Sequence, residues 1–588
     1  MKSLKHLNQY FWKYRYRFLL GFVFVAVNNY FGAEAKLYVG KGTDYVKGLM
    51  KQGIPFSSSV NRELLVFALL ILGLVLLQAI FMFFMRQMII VMSRLIEYDS
   101  KNEIYRHYEQ LDQDFYKRNN TGDLMNRISE DVSRVRMYTG PAMMYVINTA
   151  GSFFFTIPFM FHISIRLTLI ILSPMPVIVI SIWYVSSLIN RRSTEVQRAL
   201  SKIATFTQET FSGIRVMKAF AREEKINEQF GHETQNYRSL YLRLVKTEGA
   251  FQPLVLLMVG MCNILAIYFG GMAYIHSEIS LGEIITLLMF INGLIWPIAS
   301  LGWVTSLVQR AAASQERINE FLQTKPAIQG GTSQLTDIKG KIEFQNVSLT
   351  YADSGQQALK NVSFVLNAGK SLAIVGRTGA GKSSIAGLIS RLYDTTQGAV
   401  LLDDHNIKTL RLETLRGNTG YVPQEVFLFS DTISNNILFG ESSEKAGQEE
   451  VIKAAKIAAI HEGIMEFPGG YETLLGERGI NLSGGQKQRI SMARAIIKSP
   501  SILILDDCLS AIDTETEEEI LRNLDSVMSA RTTLIISHRI SSVKQCDQIL
   551  VLDKGVVAEK GNHESLLFQN GIYASMYKQQ LLEKDNEK

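Results

Sequence analysis

Two stretches of this 588-residue sequence hold the residue types that handle phosphate. The first reads Gly376, Arg377, Thr378, Gly379, Ala380, Gly381, Lys382, Ser383, Ser384. Its glycines let backbone N–H groups turn inward around phosphate oxygens. Lys382 has the reach for the β- and γ-phosphates of a nucleoside triphosphate, and the Ser383 hydroxyl is a ligand for Mg²⁺. The second stretch runs from Asn481 to Asp513 and contains an apolar, β-branched run, Ser501 to Leu505, followed by Asp506 and Asp507. Carboxylates at the carboxyl end of a buried strand sit where open α/β sheets bind their ligands. Asp506 is therefore the expected second ligand of Mg²⁺, directly or through water. The P-loop pattern alone indicates an NTPase.

Elements are expected around these residues. Ser371–Val375 reads as the strand feeding the glycine loop, and a helix starting near Lys382 adds its positive end to the phosphate site. Lys341–Tyr351 reads as an opening strand, and Thr533–Ser537 as a strand that ends just before His538. Between the glycine loop and the carboxylates lies Leu482, Ser483, Gly484, Gly485, Gln486. LSGGQ together with the P-loop resembles the nucleotide-binding domain of ATP-binding-cassette (ABC) proteins. The resemblance implies further roles. Tyr351 stands where that family stacks adenine. Gln424, in Tyr-Val-Pro-Gln, matches the Q-loop, a further Mg²⁺ and γ-phosphate contact. His538 matches the switch histidine, Ser510–Asp513 the D-loop, and Gly476-Glu477-Arg478-Gly479 the X-loop. Ser483, Gly484, Gly485 and Gln486 of one domain are expected to close over the P-loop of a second domain, so two copies of the domain are needed and the chain must pair. The family usually has Glu after the strand-ending Asp, as the base that orients water. Here Asp507 is one methylene shorter, which weakens the geometry of a general base. With His538 and Gln424 it completes the expected catalytic set.

The first half of the chain is different in composition. Overall, 47% of residues are hydrophobic and 20% charged, but the long apolar runs are confined to the first half. Six of them reach the roughly 20 residues that cross a bilayer as a helix. They lie near 17–39, 64–85, 141–162, 166–188, 254–275 and 283–304. Pro158, Pro174, Pro176 and Pro297 are expected to interrupt helices in a bundle. The first connection is expected to be a loop of roughly 24 residues by these span limits, while the connections after the second and fourth spans are long, charged and helix-forming. Lys and Arg concentrate in those long connections and near the N-terminus, which orients them to the cytosol, although Lys41, Lys47, Lys51 and Arg62 run against this. Gly122 and Gly213 are expected to break the long connections into short crosswise helices, which resemble the coupling helices of ABC exporters. Residues 1–16 interleave Lys and Arg with Leu4, Leu7, Phe11 and Tyr14, the pattern of an amphipathic helix on a membrane surface. A net charge of +6 excludes a strongly basic nucleic-acid binder, and Cys262, Cys508 and Cys546 have no disulfide or zinc spacing.

The expected architecture is an all-α six-helix transmembrane domain joined to an α/β P-loop ATPase of ABC type. Residues 1–16 form an interfacial elbow helix, 17–322 the transmembrane domain, 323–340 a linker and 341–588 the nucleotide-binding domain. The whole pattern is similar to the multidrug-resistance-like bacterial half-transporters. It implies ATP and Mg²⁺ as cofactors and a second half-transporter, the lipid bilayer and a small amphipathic substrate as partners, with no nucleic acid. The implied function is ATP-driven export or flipping across the cell membrane, with the nucleotide-binding domain and both termini cytosolic, and with this chain as the slow-site half of a heterodimer. A homodimeric lipid flippase and an ATP-gated channel or regulator are the alternatives.

Overall fold

A computed structural model of the chain describes residues 2–52, 58–335, 337–441, 447–476, 479–510, 512–528 and 531–586. It divides into two compact units, Met1–Tyr108 with Gly122–Thr324, and Glu109–Thr121 with Lys325–Lys588.

The first unit is helical. A 3-10 turn, Ser3–Leu7, leads into α1 (Asn8–Lys13) and then α2 (Arg15–Lys51). Leu4, Leu7 and Tyr10 are buried, whereas Trp12 is 73% exposed, which gives the opening segment two unlike faces. Lys13 and Tyr14 anchor it by donating to Asp99 at 2.6 and 2.9 Å. The long helix α3 (Ser58–Gln110) follows. Because α2 runs on to Lys51 and α3 begins at Ser58, most of the expected first loop is helix. Then come α4 (Gln113–Arg118), α5 (Thr121–Asn126), a π turn at Arg127–Asp131, α6 (Val132–Met137), a second π turn at Tyr138–Ala142, and α7 (Met143–Ile163). The break in this connection falls at Asn119–Asn120. Gly122 lies inside α5; α4 starts at its N-cap Asp112, whose carboxylate accepts from Phe115 N at 3.1 Å, and ends where Asn119 turns extended. Gly213 does divide the second connection, between α9 and α10.

Ser164 turns the chain from α7 into α8 (Ile165–Leu172), and its hydroxyl accepts from Leu167 N. Next are α9 (Met175–Ser212), α10 (Ile214–Ala219), α11 (Glu223–Ile275) and α12 (Leu281–Gln323). Of the expected proline breaks, only Pro174 coincides with one, between α8 and α9. Pro158 and Pro297 sit inside unbroken α7 and α12. Pro297 is buried against neighbouring helices, and packing of this kind lets a helix run through the missing N–H. Ser280 caps α12 in a reciprocal box with Glu283.

Six helical segments are long and apolar enough to cross a membrane: Arg15–Lys51, Val60–Gln110, Thr121–Ile163, Ile165–Ser212, Glu223–Ile275 and Leu281–Gln323. At 53 residues, α11 extends about 80 Å, far more than the ~30 Å of bilayer hydrocarbon. These helices therefore continue well beyond any membrane they span. Their shared core gathers Phe290, Ile291, Leu294, Ala266 and Met160.

The second unit is α/β. A four-stranded antiparallel sheet, in the order β2-β1-β4-β5, is built from β1 (Ile342–Thr350), β2 (Gln357–Leu366), β4 (Gln397–Leu402) and β5 (His405–Asn406). The second sheet has the order β10-β9-β3-β8-β7-β6. Its members are β3 (Ser371–Gly376), β6 (Thr419–Val422), β7 (Ile502–Asp506), β8 (Thr532–Ile536), β9 (Gln548–Asp553) and β10 (Val556–Gly561). All pairs in it are parallel except β9 with β10. Its helices in chain order are α13 (Lys382–Ile389), α14 (Leu412–Gly417), α15 (Ile433–Leu438), α16 (Gln448–Ile457), α17 (His461–Met465), α18 (Gly484–Ile497), α19 (Thr514–Met528), α20 (His563–Phe568) and α21 (Ile572–Asn586). Strand periodicity divides the core. Ala373, Val375, Leu503, Leu505 and Ile535 face one apolar cluster, and Leu372, Ile374, Ile502, Ile504 and Leu534 face the other. A sheet buried on both faces accounts for the uninterrupted apolar runs in these strands.

Candidate active site

The parallel sheet brings the expected chemistry to one edge. Gly376 ends β3, Asp506 ends β7, Gln424 follows β6 and His538 follows β8. All four lie at carboxyl ends of neighbouring strands, the position from which such sheets bind ligands. The glycine loop then enters α13, whose N-cap Gly381 has a φ of +96°. A Cβ at Gly381 would collide with the Ala358 carbonyl, and one at Gly376 with the Leu552 carbonyl. The loop can close only with glycine at both positions. Ala380 is buried beneath it, whereas Arg377, Thr378 and Gly379 are exposed.

The Lys382 ammonium donates to the Gly376 and Arg377 carbonyls at 2.9 and 3.1 Å, which holds it within the loop. Burial pushes its pKa down, and the charges of Asp507 and Asp506 oppose that shift. Ser383 Oγ donates to Asp506 Oδ1 at 3.0 Å, and Tyr421 Oη donates to Asp506 Oδ2 at 3.4 Å. Burial raises the Asp506 pKa, with the Asp507 charge adding to the rise and the Ser383 bond opposing it. Gln424 Nε2 donates to Asp507 Oδ2 at 3.2 Å. Burial and the Lys382 charge hold His538 below the usual histidine range, so its imidazole is neutral at pH 7.

Ser383, Asp506 and Gln424 make an oxygen-donor set of one carboxylate, one hydroxyl and one amide. Among the described residues no group of three His, Cys, Asp or Glu side chains could hold a metal. The set fits Mg²⁺, a hard cation that takes oxygen ligands, typically with one or two carboxylates from the protein and the rest of its shell from phosphate and water. It does not resemble a self-sufficient metal cage.

Other expected residues lie around this edge. Tyr351 Oη and Ser384 Oγ are 2.9 Å apart, so Ser384 faces the tyrosine while Ser383 faces Asp506. Ser483 and Gln486 form a capping box at the start of α18, and among the described residues neither bonds to the glycine loop. Gly484 and Gly485 form the first turn of that helix. Glu477 and Arg478 of the expected X-loop, and Ala511 of the expected D-loop, lie outside the described residues.

Sequence reasoning missed several participants. Lys117 of α4 stands 5.0 Å over the Tyr351 ring and 4.8 Å over the Tyr393 ring, and the two rings meet edge to face at 5.1 Å. Nothing in local patterning links residue 117 to residue 351. Gln580 of α21 donates to the His538 carbonyl at 2.6 Å and accepts from Ile540 N at 2.9 Å, which fixes the histidine loop. A cavity of about 800 Å³ opens between this loop and α21, beside Arg377 and Thr378. Tyr421 had a visible signal, a polar ring in an otherwise apolar strand two residues from a proline.

Comparison with known proteins matches this geometry. Residues 6–298 match the ABC transporter transmembrane region, and residues 359–510 match the ABC transporter family. The chain is 36% identical to the multidrug resistance-like ATP-binding protein MdlA of Escherichia coli, over 82% of each chain. It is 33% identical to an ATP-dependent lipid A-core flippase of Haemophilus influenzae, over 91% of each. A solved bacterial Atm1-family ABC exporter with ATP bound superposes with a TM-score of 0.79 at 25% identity, covering 96% of this chain and 99% of that one. The chain thus belongs to the ABC transporters, as a half-transporter of the exporter fold that carries one transmembrane region and one ATP-binding domain in a single polypeptide.

Proposed function

We propose that this protein uses ATP to export or flip amphipathic small molecules or lipids, as one half of a dimer working by alternating access. The observation that carries this reading is the gathering of Lys382, Ser383, Asp506, Gln424 and His538 on one sheet edge, in a chain with six apolar helices of spanning length. Relatives named for multidrug resistance and for lipid A-core flipping support an amphipathic cargo. In this reading Tyr351 stacks the adenine, and Lys382 and the loop amides hold the phosphates. Ser383, Asp506 and Gln424 hold Mg²⁺, which when bound neutralises charge on the phosphoryl group. His538 contacts the γ-phosphate. Ser483 to Gln486 complete the site of the partner half, and α4 and α10 relay closure of the ATPase domains to the spans. The ATPase domain and both termini are cytosolic.

Asp507 favours a specialised form of this function. It is buried, its backbone is in the left-handed region at φ +48°, and its carboxylate is engaged by Gln424. A short carboxylate held this way is poorly placed to orient water. We infer that this half binds ATP at a slow site and lends its intact Ser483–Gln486 segment to a faster site on a different partner.

The test is transport by the protein isolated from its native membrane, with any partner retained, in sealed proteoliposomes. Accumulation of an amphipathic dye or lipid that requires ATP and Mg²⁺ is the expected result. Passive, ATP-gated leakage without accumulation would overturn the reading in favour of a channel.

A further inference from the structure

One charge inside the helical unit is unused by anything above. Lys36 lies on α2, level with the first turns of α12, where the Thr286 hydroxyl comes within 3.5 Å of its carbonyl oxygen. A lysine near the end of a membrane helix ordinarily snorkels toward the nearest water. Lys36 does the opposite. Its ammonium lies 5.5 Å over the ring of Phe290, which is 0% exposed. It also occupies the space that a Cβ on Gly293 would need. Gly293 is two turns deeper into α12 than Thr286, about 10 Å along the helix. The amine therefore points away from the end of the bundle where α12 begins, and toward the middle of the spans. The geometry has a local cause, because side chains on a helix lean toward its N-terminus and α2 runs toward that end.

No carboxylate pairs with Lys36 among the described residues. The nearest acid on its own helix, Glu34, accepts from Tyr30 instead. The α12 wall next to Gly293 is polar, with Asn292 and Asn263 of α11 paired at 3.4 Å. Farther along α12, about 25 Å from Gly293, the same unit has a cavity of about 740 Å³ lined by Trp303, Arg310, Arg134 and Glu130. Arg134 is paired to Glu130 there, and among the described residues Arg310 has no ion-pair partner. An uncompensated ammonium in an apolar bundle is costly unless a counter-charge arrives. Gly293 opposite it leaves the room that the ammonium fills.

We infer that Lys36 is an anion-recognition point on the transport pathway, so that the amphiphile moved by this protein carries an acidic group such as a phosphate, carboxylate or sulfate. This rests on the export reading.

The experiment uses the full-length protein, with any partner half retained, in phosphatidylcholine vesicles. Each preparation receives either fluorescent phosphatidylglycerol or fluorescent phosphatidylcholine, and dithionite quenching reports the lipid moved on addition of ATP. The wild type is expected to move the acidic lipid about tenfold faster than the zwitterionic one, the value of one charge-assisted hydrogen bond. Lys36→Gln is expected to bring that ratio near one. Lys36→Arg is expected to keep it, as is Lys47→Gln, which alters a lysine that rests 3.6 Å over the Tyr274 ring at the end of the same helix. Because the readout is a ratio within one preparation, partial loss of folded protein does not mimic the effect. Equal movement of both lipids by the wild type, or a preference that survives Lys36→Gln, overturns the inference and leaves the export reading standing. A Lys36→Arg protein that behaves like Lys36→Gln overturns the role of charge. ATP-driven uptake of carboxyfluorescein that Lys36→Gln abolishes supports the anion site and assigns it to a soluble organic anion. A wild type that moves none of the three probes removes the export reading and this inference with it.

Discussion

Gln424 Nε2 donates to Asp507 Oδ2 at 3.2 Å, so the loop after β6 holds the carboxylate that follows β7. If this chain supplies a slow site to a mixed dimer, Asp507→Asn should lower ATP turnover of the purified complex less than about threefold. Ser483→Ala, which breaks the cap of α18 that serves the partner, should cost about tenfold or more. Asp507→Glu restores the longer reach and should raise turnover at this site. A preparation containing only this polypeptide that loses about a hundredfold with Asp507→Asn, the scale of a working general base, would falsify the mixed-dimer reading.

Lys382 is held by two carbonyls of its own loop, which in the proposed function it exchanges for phosphate oxygens. Lys382→Ala should weaken ATP affinity at this site by about tenfold or more, the loss of one charge-assisted contact. Where no wild-type half compensates, transport should be abolished. Nucleotide binding and dye transport, measured on the same preparation, check both statements. Undiminished transport would remove Lys382 from the phosphate site.

Arg494 of α18 is a structural counterpart to these residues. Its guanidinium donates to Asn436 O at 2.7 Å, Asn436 Oδ1 at 2.8 Å and Phe427 O at 2.9 Å, and lies 5.8 and 5.5 Å from the ring centres of Phe429 and Phe439. Burial draws its pKa down to about 10, still well above neutral, so it is charged at pH 7. Arg494→Met keeps the volume and removes three hydrogen bonds, leaving Asn436 O and Phe427 O without this donor. A loss of about 2–4 kcal/mol is expected, which corresponds to a fall of about 5 °C or more in the melting temperature of the ATPase domain. Unchanged melting, with the nucleotide concentration held constant, would contradict this account.

Burial pushes the Cys546 thiol up to about 12. At pH 8 only about one in ten thousand of such thiols is ionised, and the thiolate is the reactive form. Cys262 and Cys508 are also buried and free. The native protein should therefore resist iodoacetamide at pH 8 and become fully labelled after denaturation. Rapid native labelling would show that one of these sites opens.

That low background permits a test of orientation. Lys2 is exposed, beside the anchored segment Ser3–Leu7. With the termini on the cytosolic side, Lys2→Cys should react with a membrane-impermeant maleimide in inside-out vesicles and not in intact cells. Labelling only in intact cells would reverse the topology.

The candidate phosphate site could be proposed from sequence because its parts are local. Glycines that must turn, a lysine at fixed offset and a strand that ends in aspartate all fall within short windows. The six spans were equally plain from apolar length. What escaped was set by contacts distant in sequence or by competition among local signals. Gly122 looked like a helix breaker, yet the break falls at Asn119, whose backbone is extended, and Gly122 sits inside α5. Pro297 looked like an interruption, yet it is buried in a continuous α12. Lys117 over Tyr351 and Gln580 beneath His538 join residues too far apart for any pattern to show. The left-handed backbone at Asp507 follows from the sharp turn after β7, where its N–H donates to Ile536 O at 2.8 Å.

The first and last long helices of the helical unit are fastened together at both ends. Asp44 accepts from Ser280 Oγ and, at 2.7 Å, from Gly282 N at the start of α12. Near the other end, Ser3 donates to Ala312 O at 3.1 Å and accepts from Asn319 at 2.8 Å. Sequence separations of 236 and 316 residues lie across this seam. During synthesis α2 therefore waits for almost the whole unit before its partner exists, at about 5–20 residues per second. Long-range closure of this kind is entropically late. Until α12 emerges, the face of α2 that meets it, Lys36 included, lacks that partner, and a chain truncated before Leu281 should be a preferred target for membrane quality control.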